Sequence, residues 1–596
     1  MRVIPCHFSL VPCPYNYPGD NFTAFPQQNV IGATGSSAVH DFDADVLLYE
    51  AGVVLDCGKF QHLSGAYQYQ FGLQFQQRLH VLCAQLINMS GRPVIDQLFK
   101  RDNETGCFGA AIDQNRAVFI SADIVPLVDF VFAEFHCPII RQRGYAVECA
   151  ALFNTIVEIP LEAAKVGLLG LGTVGGGTAT VLLRNADEIK RRVGRSIEIT
   201  HAAGLGIADQ TLLDSSKVKL TEDAFEVVND PDVDIIVELI GGYTLAKDLV
   251  MKAIENGKHV VTANKALIAT HGAQIMQAAM AKGVNVAYEA AVAGGIPIIK
   301  AVREGLAANR INWIAGIING TGNFILTEMR DKGRDFDDVL KEAQALGYAE
   351  ADPTFDVEGI DAAHKLTILA SLAFGIELQF DKCYTEGISK ITTEDVQYAS
   401  ELGYRIKHLG IARKTADGIE LRVHPTLIPE KRLIANVNGV MNAVLVQGDA
   451  VGPTLYYGAG AGAEPTASAV VADIIDTVRT IDIDADHKVP LLGFKPDAMS
   501  DIAIMPIEDV ETACYLRMTA LDKPGVLAEV SEVFAKHAIS LEAVLQKEPA
   551  EGVDKVHLVL LTQKVKESNI NAAIAEVENF DEIEGSVARI RLEHLG

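Results

Sequence analysis

KVGLLGLGTVGGGTATVLL, residues Lys165 to Leu183, decides the fold of this chain. An apolar run of strand length breaks at Gly170, and the spacing Gly170-x-Gly172-x-x-Gly175 leads straight into a helical pattern. Strand, glycine turn and helix in that order are what a dinucleotide-binding fold requires of its first crossover. Gly170 is expected to make the tight turn, Gly172 to let the backbone approach a pyrophosphate, and Gly175 to let helix and strand pack closely. The helix N-terminus then offers free N–H groups to the phosphates. A glycine triplet alone is a common connector, so the flanking strand and helix patterns carry the inference.

Reading outward, Ile197 to Ala203 forms a second strand pattern. An acid at its end would hydrogen-bond a ribose 2′-hydroxyl and an arginine would accept a 2′-phosphate. The chain has neither there: it reads HAAGLG from His201 to Gly206, with Asp209 the nearest acid, so NAD and NADP both stay open. A buried strand from Ile235 to Leu239 and a helix follow, then HVVTANKALIA. Thr262-Ala-Asn264-Lys265 is thereby placed at the carboxyl end of a parallel strand, where doubly wound sheets bind ligands. YEAAVAGGIPII (Tyr288 to Ile299) and IINGTGNFIL (Ile317 to Leu326) read as strands ending in turns of small and donor-rich residues.

GYAEADPTFDVEGIDAAHK, Gly347 to Lys365, crowds five carboxylates into a Pro-broken loop and the start of a helix that carries one lysine. With a helix over Val357 to Leu372, Asp361 and Lys365 stand four residues apart on one face and can hydrogen-bond. An exposed pair of this kind is common and weak. Beside a nucleotide site it becomes a proton donor held by a carboxylate. Two lysines among several acids can be tuned in opposite senses, and spacing alone does not say whether Lys265 or Lys365 donates.

With GLGTVG, VELIGG, TANKALIA, YEAAVAGGIPII, NGTGNFIL, the acidic block and GAGAGAEPTASAVVADI in this order, the chain resembles the homoserine dehydrogenases from about Lys165 to about Asp497. The resemblance implies Lys365 as general acid, Asp361 as its orienting partner, and Lys265 beside nicotinamide and reacting carbonyl. It implies Glu350, with Asp356 and Thr321, at the substrate. It implies cofactor contacts from Gly170, Gly172, Thr173, Val174, Gly175, Lys265 and the loop Gly458 to Thr466 with Gly462. Family members also hold a monovalent cation, here sodium mapped to Glu289, Val292, Gly294 and Ile296, largely through main-chain carbonyls. Other readings are a dehydrogenase of a related amino-acid aldehyde and a non-catalytic amino-acid sensor on the same scaffold; the joint presence of Lys265, Glu350, Asp361 and Lys365 speaks against the sensor.

The fold class expected is α/β: a Rossmann-type domain over 161–290 completed by about 456–500, an α+β catalytic and dimerisation domain over 291–455, and a ferredoxin-like module over 512–596. YLRMTALDKPGVLAEVSEVFAKHAISLEAVLQ and the strand, helix and strand after it give a βαββαβ order. This pattern resembles an ACT domain, which implies an amino-acid effector, threonine, and a separable regulatory unit. Residues 1–160 differ in composition. They hold Cys6, Cys13, Cys57, Cys83, Cys107, Cys137 and Cys149 of the nine cysteines, without CxxC spacing, and only Lys59 and Lys100 as lysines. Neither zinc nor a redox pair is supported there. Ala117 to Phe135 is apolar but contains Asp123 and Asp129, which argues against a membrane span. This extension is expected to be dispensable for catalysis. A net charge of −27 over 596 residues argues against nucleic-acid partners. A cytoplasmic homo-oligomer, dimer or tetramer, completes the expectation.

Overall fold

The computed structural model describes residues 99–101, 108–110, 162–205, 212–484, 487–549 and 554–595. Two units make up the chain, 1–150 and 151–596. In the first, Phe99–Arg101 pairs antiparallel with Phe108–Ala110. The remaining expectations for residues 1–160 fall outside the described residues.

In the second unit the glycine turn does what its spacing predicts. β1 (Ala164–Leu169) leads through the turn into α1 (Thr173–Arg184). Gly170 has φ +94°, and a Cβ there would meet the Leu239 carbonyl oxygen at 2.8 Å. A Cβ on Gly175 would fall 1.9 Å from the Gly170 oxygen, so only glycine lets α1 start this close to the strand. Around Gly172 a Cβ would meet nothing within 4 Å, which leaves the turn open on the side a pyrophosphate would take.

β2 (Ile197–Ala203), β3 (Lys219–Thr221), β4 (Ile235–Glu238), β5 (His259–Thr262) and β6 (Val286–Ala287) complete a parallel sheet in the order β3-β2-β1-β4-β5-β6. The order reverses between β1 and β4, so the ligand crevice opens at their carboxyl ends. β4 and β5, followed by α2 (Thr244–Glu255) and α3 (Lys265–Lys282), are buried at every position, as a sheet covered on both faces requires. The strand expected from Tyr288 onward is replaced by a 3₁₀ turn at Glu289–Ala291. Glu289 is drawn out of the ladder because its N–H bonds Asp473 and its carboxylate receives the N–H groups of Ile299 and Lys300.

The catalytic half is built on β7 (Ile311–Ile317), α4 (Gly320–Lys332), α5 (Ile360–Phe374), β8 (Tyr384–Thr385), β9 (Tyr404–Lys414), β10 (Ile419–Pro429), β11 (Met441–Gly448) and β12 (Gly452–Ala459). The NGTGNF stretch opens α4, capped by Asn319, where the sequence reads as a turn. α5 starts three residues later than expected, because Gly359 (φ +82°) separates it from the short helix Thr354–Val357. α6 (Ala463–Thr480) returns to the nucleotide domain and packs on α1, with Gly177 so close to Ala463 that a Cβ would stand 2.5 Å from its oxygen.

The C-terminal module has the expected order: β13 (Glu511–Leu521), α7 (Val526–Lys536), β14 (Leu541–Gln546), β15 (Lys555–Thr562), α8 (Glu567–Val577), β16 (Ile583–Leu592). It does not stand apart. β16 pairs in parallel with β10 of the catalytic half at Thr426↔Arg591 and Leu427↔Leu592. One sheet path therefore runs β12-β11-β7-β9-β10-β16-β13-β15-β14. Across this seam the buried Arg591 donates to Glu567 of the module (2.7 Å) and to Glu386 of the catalytic half (2.6 Å). Arg422 donates to Glu593 at 2.5 Å.

Candidate active site

The carboxyl end of β7 and the start of α5 converge on one buried polar cluster. Lys365 Nζ donates to the Ile318 carbonyl oxygen and to Asp361 Oδ2, each at 2.7 Å. Asn319 Nδ2 donates to Asp361 Oδ2 (2.9 Å) and Asp356 Oδ1 (2.8 Å), while Asn319 Oδ1 caps α4 by accepting from Gly322 N–H. Across the cleft, Lys265 Nζ lies 3.0 Å from Asp361 Oδ1. Asp361 is thereby shared by two ammonium groups and one amide.

The two lysines differ in environment. Lys265, the first residue of α3 (Lys265–Lys282), is 40% exposed and Lys365 only 11%. The Asp361 charge raises the pKa of Lys265 against its partial burial, with Asp356 and Glu350 helping. Burial lowers that of Lys365, and the Lys265 charge adds to this, against the attraction of Asp361. Burial alone would raise the Asp361 carboxyl, but Lys365 and Lys265 outweigh it and hold it below its ordinary value. Asp356 moves up, mainly by burial. An ammonium has three donors, and the contacts above occupy two of Lys365's. The third has no hydrogen-bond partner among these contacts.

Thr321, in the first turn of α4, donates its hydroxyl to the Tyr348 carbonyl oxygen and so fixes the acidic loop to the helix that starts at the cluster. Glu350 sits on that loop with an exposed side chain, within electrostatic reach of Lys265. His364 was not singled out by sequence. Its buried ring stacks on Phe380 (4.2 Å between centroids) with neither nitrogen hydrogen-bonded, and burial first of all pushes its pKa down to about 4, so it is neutral near pH 7.

On the nucleotide side, Glu238 at the end of β4 accepts from Ile240 and Gly241 N–H through Oε1 and from the Thr262 hydroxyl through Oε2. Asn264 caps α3 and donates to the Gly242 carbonyl oxygen. Sequence reasoning missed Asn319 and Glu238, and placed Asn264 at the strand end without giving it a role. The signal was present in the two asparagines, since each precedes a helix start and asparagine is a preferred cap. Glu238 carried the weaker signal of an acid at a strand's carboxyl end.

Glycine turn, open Gly172 face and the N-terminus of α1, where Thr173 and Val174 lie, fit the phosphates of a dinucleotide. The loop from Gly458 to Thr466 contributes Gly462 (φ +124°) as the residue before α6. β2 ends in Ala203-Gly204-Leu205 with no acid or arginine, and residues 206–211 lie outside the described residues. Among the described residues no group of three or more His, Cys, Asp or Glu side chains could hold a metal. At the mapped cation position Ala293 (φ +54°) and Gly294 (φ +36°) turn the chain sharply. There the Ile296 carbonyl already accepts from Ile298 N–H, and the Glu289 carbonyl from Val292 N–H. Burial first of all raises the Glu289 carboxyl to about 7, against two backbone N–H groups and the Arg303 and Lys300 charges.

The family model described as homoserine dehydrogenase matches residues 297–475, its NAD binding domain 170–289, and the ACT domain 515–582. A homoserine dehydrogenase of Pseudomonas aeruginosa is 65% identical over 435 residues, 73% of this chain and 100% of that protein. One of Bacillus subtilis is 37% identical over 73% of this chain and 100% of its own length. A crystal structure of a homoserine dehydrogenase from Thiobacillus denitrificans has 64% identity and a TM-score of 0.70, covering 73% of this chain and 99% of that one. One from S. aureus has 31% identity and a TM-score of 0.57 over 72% and 99%. This chain belongs to the homoserine dehydrogenase family.

Proposed function

We propose that the chain interconverts L-homoserine and L-aspartate 4-semialdehyde, with Lys365 as the proton donor and acceptor at the substrate oxygen. The observation that carries this reading is the Lys365 ammonium, buried, held at two of its three donors and lowered in pKa beside a charged Lys265. A bound nicotinamide cofactor supplies or accepts the hydride. Negative charge that builds on the carbonyl oxygen during reduction is met by the free N–H of Lys365, which then gives up the proton. Asp361 keeps that ammonium charged until it is needed, and Lys265 adds a second positive charge at the cleft. Oxidation of homoserine with NAD and NADP in parallel, with and without threonine, tests the activity, the cofactor preference and the effector together; absence of turnover with both cofactors refutes it.

Glu350, with Asp356 beside the cluster, is the residue we assign to the substrate ammonium. Glu350→Gln is expected to raise the homoserine KM by one to two orders of magnitude, the equivalent of a charge-assisted hydrogen bond of roughly 1.5–3 kcal/mol. The Kd of the cofactor should not change. Loss of both affinities together would remove Glu350 from the substrate.

A sodium ion at Glu289, Val292, Gly294 and Ile296 is part of the same reading. A carboxyl raised in the folded state contributes stability fully below its unfolded value and loses it as pH rises through the folded one. Glu289, raised from 4.5 to about 7, therefore makes Tm fall between about pH 4.5 and 7, and Asp473, also raised by burial, acts in the same direction. A cation beside Glu289 favours the ionised form, so sodium chloride should restore Tm relative to choline chloride most strongly above pH 7. Glu289→Gln should flatten both dependences; an unchanged sodium effect in that variant would place the ion elsewhere.

The C-terminal module is the effector site in this reading. Asp522, Lys523, Pro524 and Gly525 lead into α7, and a cavity of about 190 Å³ lies among Lys523, Pro524, Gly525, Val526 and Gln546. That volume and the helix N-terminus suit a small amino acid such as threonine. A homo-oligomer and a cytoplasmic location accompany the proposal; no helix among the described residues is long and apolar enough to cross a membrane. The relatives are matched over their whole length by 435 residues of this chain. A chain of residues 159–596 is therefore expected to be soluble, with kcat/KM within a few-fold of the full chain. A fall of tenfold or more, about 1.4 kcal/mol of transition-state stabilisation, would make the preceding segment part of the enzyme.

A further inference from the structure

Asn442 lies inside the catalytic half, 1% exposed, with neither Nδ2 nor Oδ1 hydrogen-bonded. A buried amide without partners costs stability, and a position that needed only volume would be better filled by leucine. Its surroundings suggest what the amide is for. The next residue, Ala443, pairs with Ile317 at the end of β7, and Ile318 beyond it holds Lys365 through its carbonyl. A Cβ on Gly320 would stand 3.7 Å from Asn442 Oδ1. On the other side Asn442 pairs with Gly458, and a Cβ on Gly460 would fall 2.0 Å from Nδ2 and 2.4 Å from Oδ1. The amide is thus sandwiched between the turn whose Ile318 carbonyl holds Lys365 and the glycine loop that runs into α6, the helix packed on α1 of the nucleotide fold.

An amide presents a donor and an acceptor side by side. Homoserine's ammonium only donates, its carboxylate only accepts and its hydroxyl does both from a single atom, whereas the carboxamide of nicotinamide sets a donor and an acceptor on two neighbouring atoms, as the asparagine amide does. That carboxamide is borne by the ring carbon next to the one that exchanges the hydride, so it must come to rest close to the substrate carbon and to Lys365. We propose that Asn442 is a cofactor-binding residue whose amide pairs with the nicotinamide carboxamide when the loop Gly460–Gly462, which follows β12, lifts from it. The loop is suited to such movement, since Gly460, Ala461 and Gly462 between β12 and α6 carry no side chain larger than a methyl group. The inference rests on the reading of that loop as the cofactor's.

The test measures calorimetric Kd values of the full chain and of Asn442→Leu and Asn442→Ala. The ligands are NAD⁺, NADP⁺ and their 3-acetylpyridine analogues, which keep the ring carbonyl and lack the amide N–H₂. In the wild type, the nicotinamide form should bind better than the analogue. In both variants that preference should vanish, with about tenfold or greater loss of affinity for the natural dinucleotide. Asn442→Leu should meanwhile melt at or above the wild-type temperature, since it removes an unpartnered amide. A folded variant that discriminates as the wild type does, or binds with the wild-type Kd, overturns the proposal. A wild type that binds neither dinucleotide removes the reading of the loop on which it rests.

Discussion

Lys365→Ala is expected to lower kcat by about 10²- to 10⁴-fold, the usual worth of a positioned acid, while the protein folds and binds its cofactor as before. Alanine keeps α5, because helix propensity is highest for it and Ala362, Leu366, Ile368 and Leu369 around the position stay buried. The charge left behind is not orphaned: Asp361 retains Lys265 at 3.0 Å and the Asn319 amide at 2.9 Å. What is lost is the ammonium held in place by the Ile318 carbonyl and Asp361. Lys265 is the only neighbouring ammonium among the described contacts of Asp361, and its 40% exposure and its raised pKa make it the poorer acid. Lys265→Ala should accordingly affect KM and kcat together, without abolishing the alkaline limb of the rate profile that Lys365 sets. Near-normal turnover in Lys365→Ala, or a loss no larger than that of Lys265→Ala, would reassign the proton transfer.

How much of this was legible beforehand depends on where each signal was local. The glycine turn was legible because strand, turn and helix follow one another in the chain and one of its contacts is internal: a Cβ on Gly175 would meet Gly170 itself. The Asp361–Lys365 pair was legible because four residues of helix bring the two together whatever lies around them. Ile318, Asn319 and Lys265 join that pair from elements 42 or more residues away in sequence, and no periodicity records such a meeting. Asn319 stood in the NGTGNF stretch, yet its role depends on holding Asp356 and Asp361 at once, which is a property of packing. The start of α5 was misplaced for a local reason: Gly359 takes the left-handed conformation and packs on His408 and Thr385, so the helix cannot begin before Ile360. The order of the C-terminal module was legible strand by strand, whereas its attachment was not, since parallel pairing of β16 with β10 leaves no trace in the spacing of either.

That attachment governs the second large effect. Sequence suggested that removal of the chain from about Met505 onward would leave a working enzyme deaf to its effector. With the module's last strand in the same sheet as the catalytic half, the same truncation is expected to unfold or precipitate the protein. β10 would lose β16 at Thr426 and Leu427, keeping β8 at Arg422 and Val423, and present that part of its edge to water. Arg422 would lose Glu593, whose carboxyl Arg422 and Arg413 hold at about 2 although burial pushes it up. Glu386 would lose Arg591, and Asp395 would lose Arg517 at 2.6 Å. Breaking one buried pair by removing a partner costs about 3–5 kcal/mol, and a domain of this size loses about 2–4 °C of Tm per kcal/mol. Arg422 keeps Glu420 at 2.8 Å and the groups the module covered would meet water, so each loss falls below that figure. These losses are joined by exposure of an apolar cluster in which Leu427, Tyr398 and Phe324 of the catalytic half pack with Tyr515, Leu561 and Leu592 of the module. Residues 1–505 should therefore express as aggregate or melt far below the full chain in a thermal-shift assay. A soluble 1–505 protein with full-length Tm and kcat would show that the shared strand carries no stability. Regulation is better probed by a change that leaves the sheet whole, because the route by which a module so joined reaches the site is short. Ile388, two residues after Glu386, donates its N–H to Val357, four residues before Asp361.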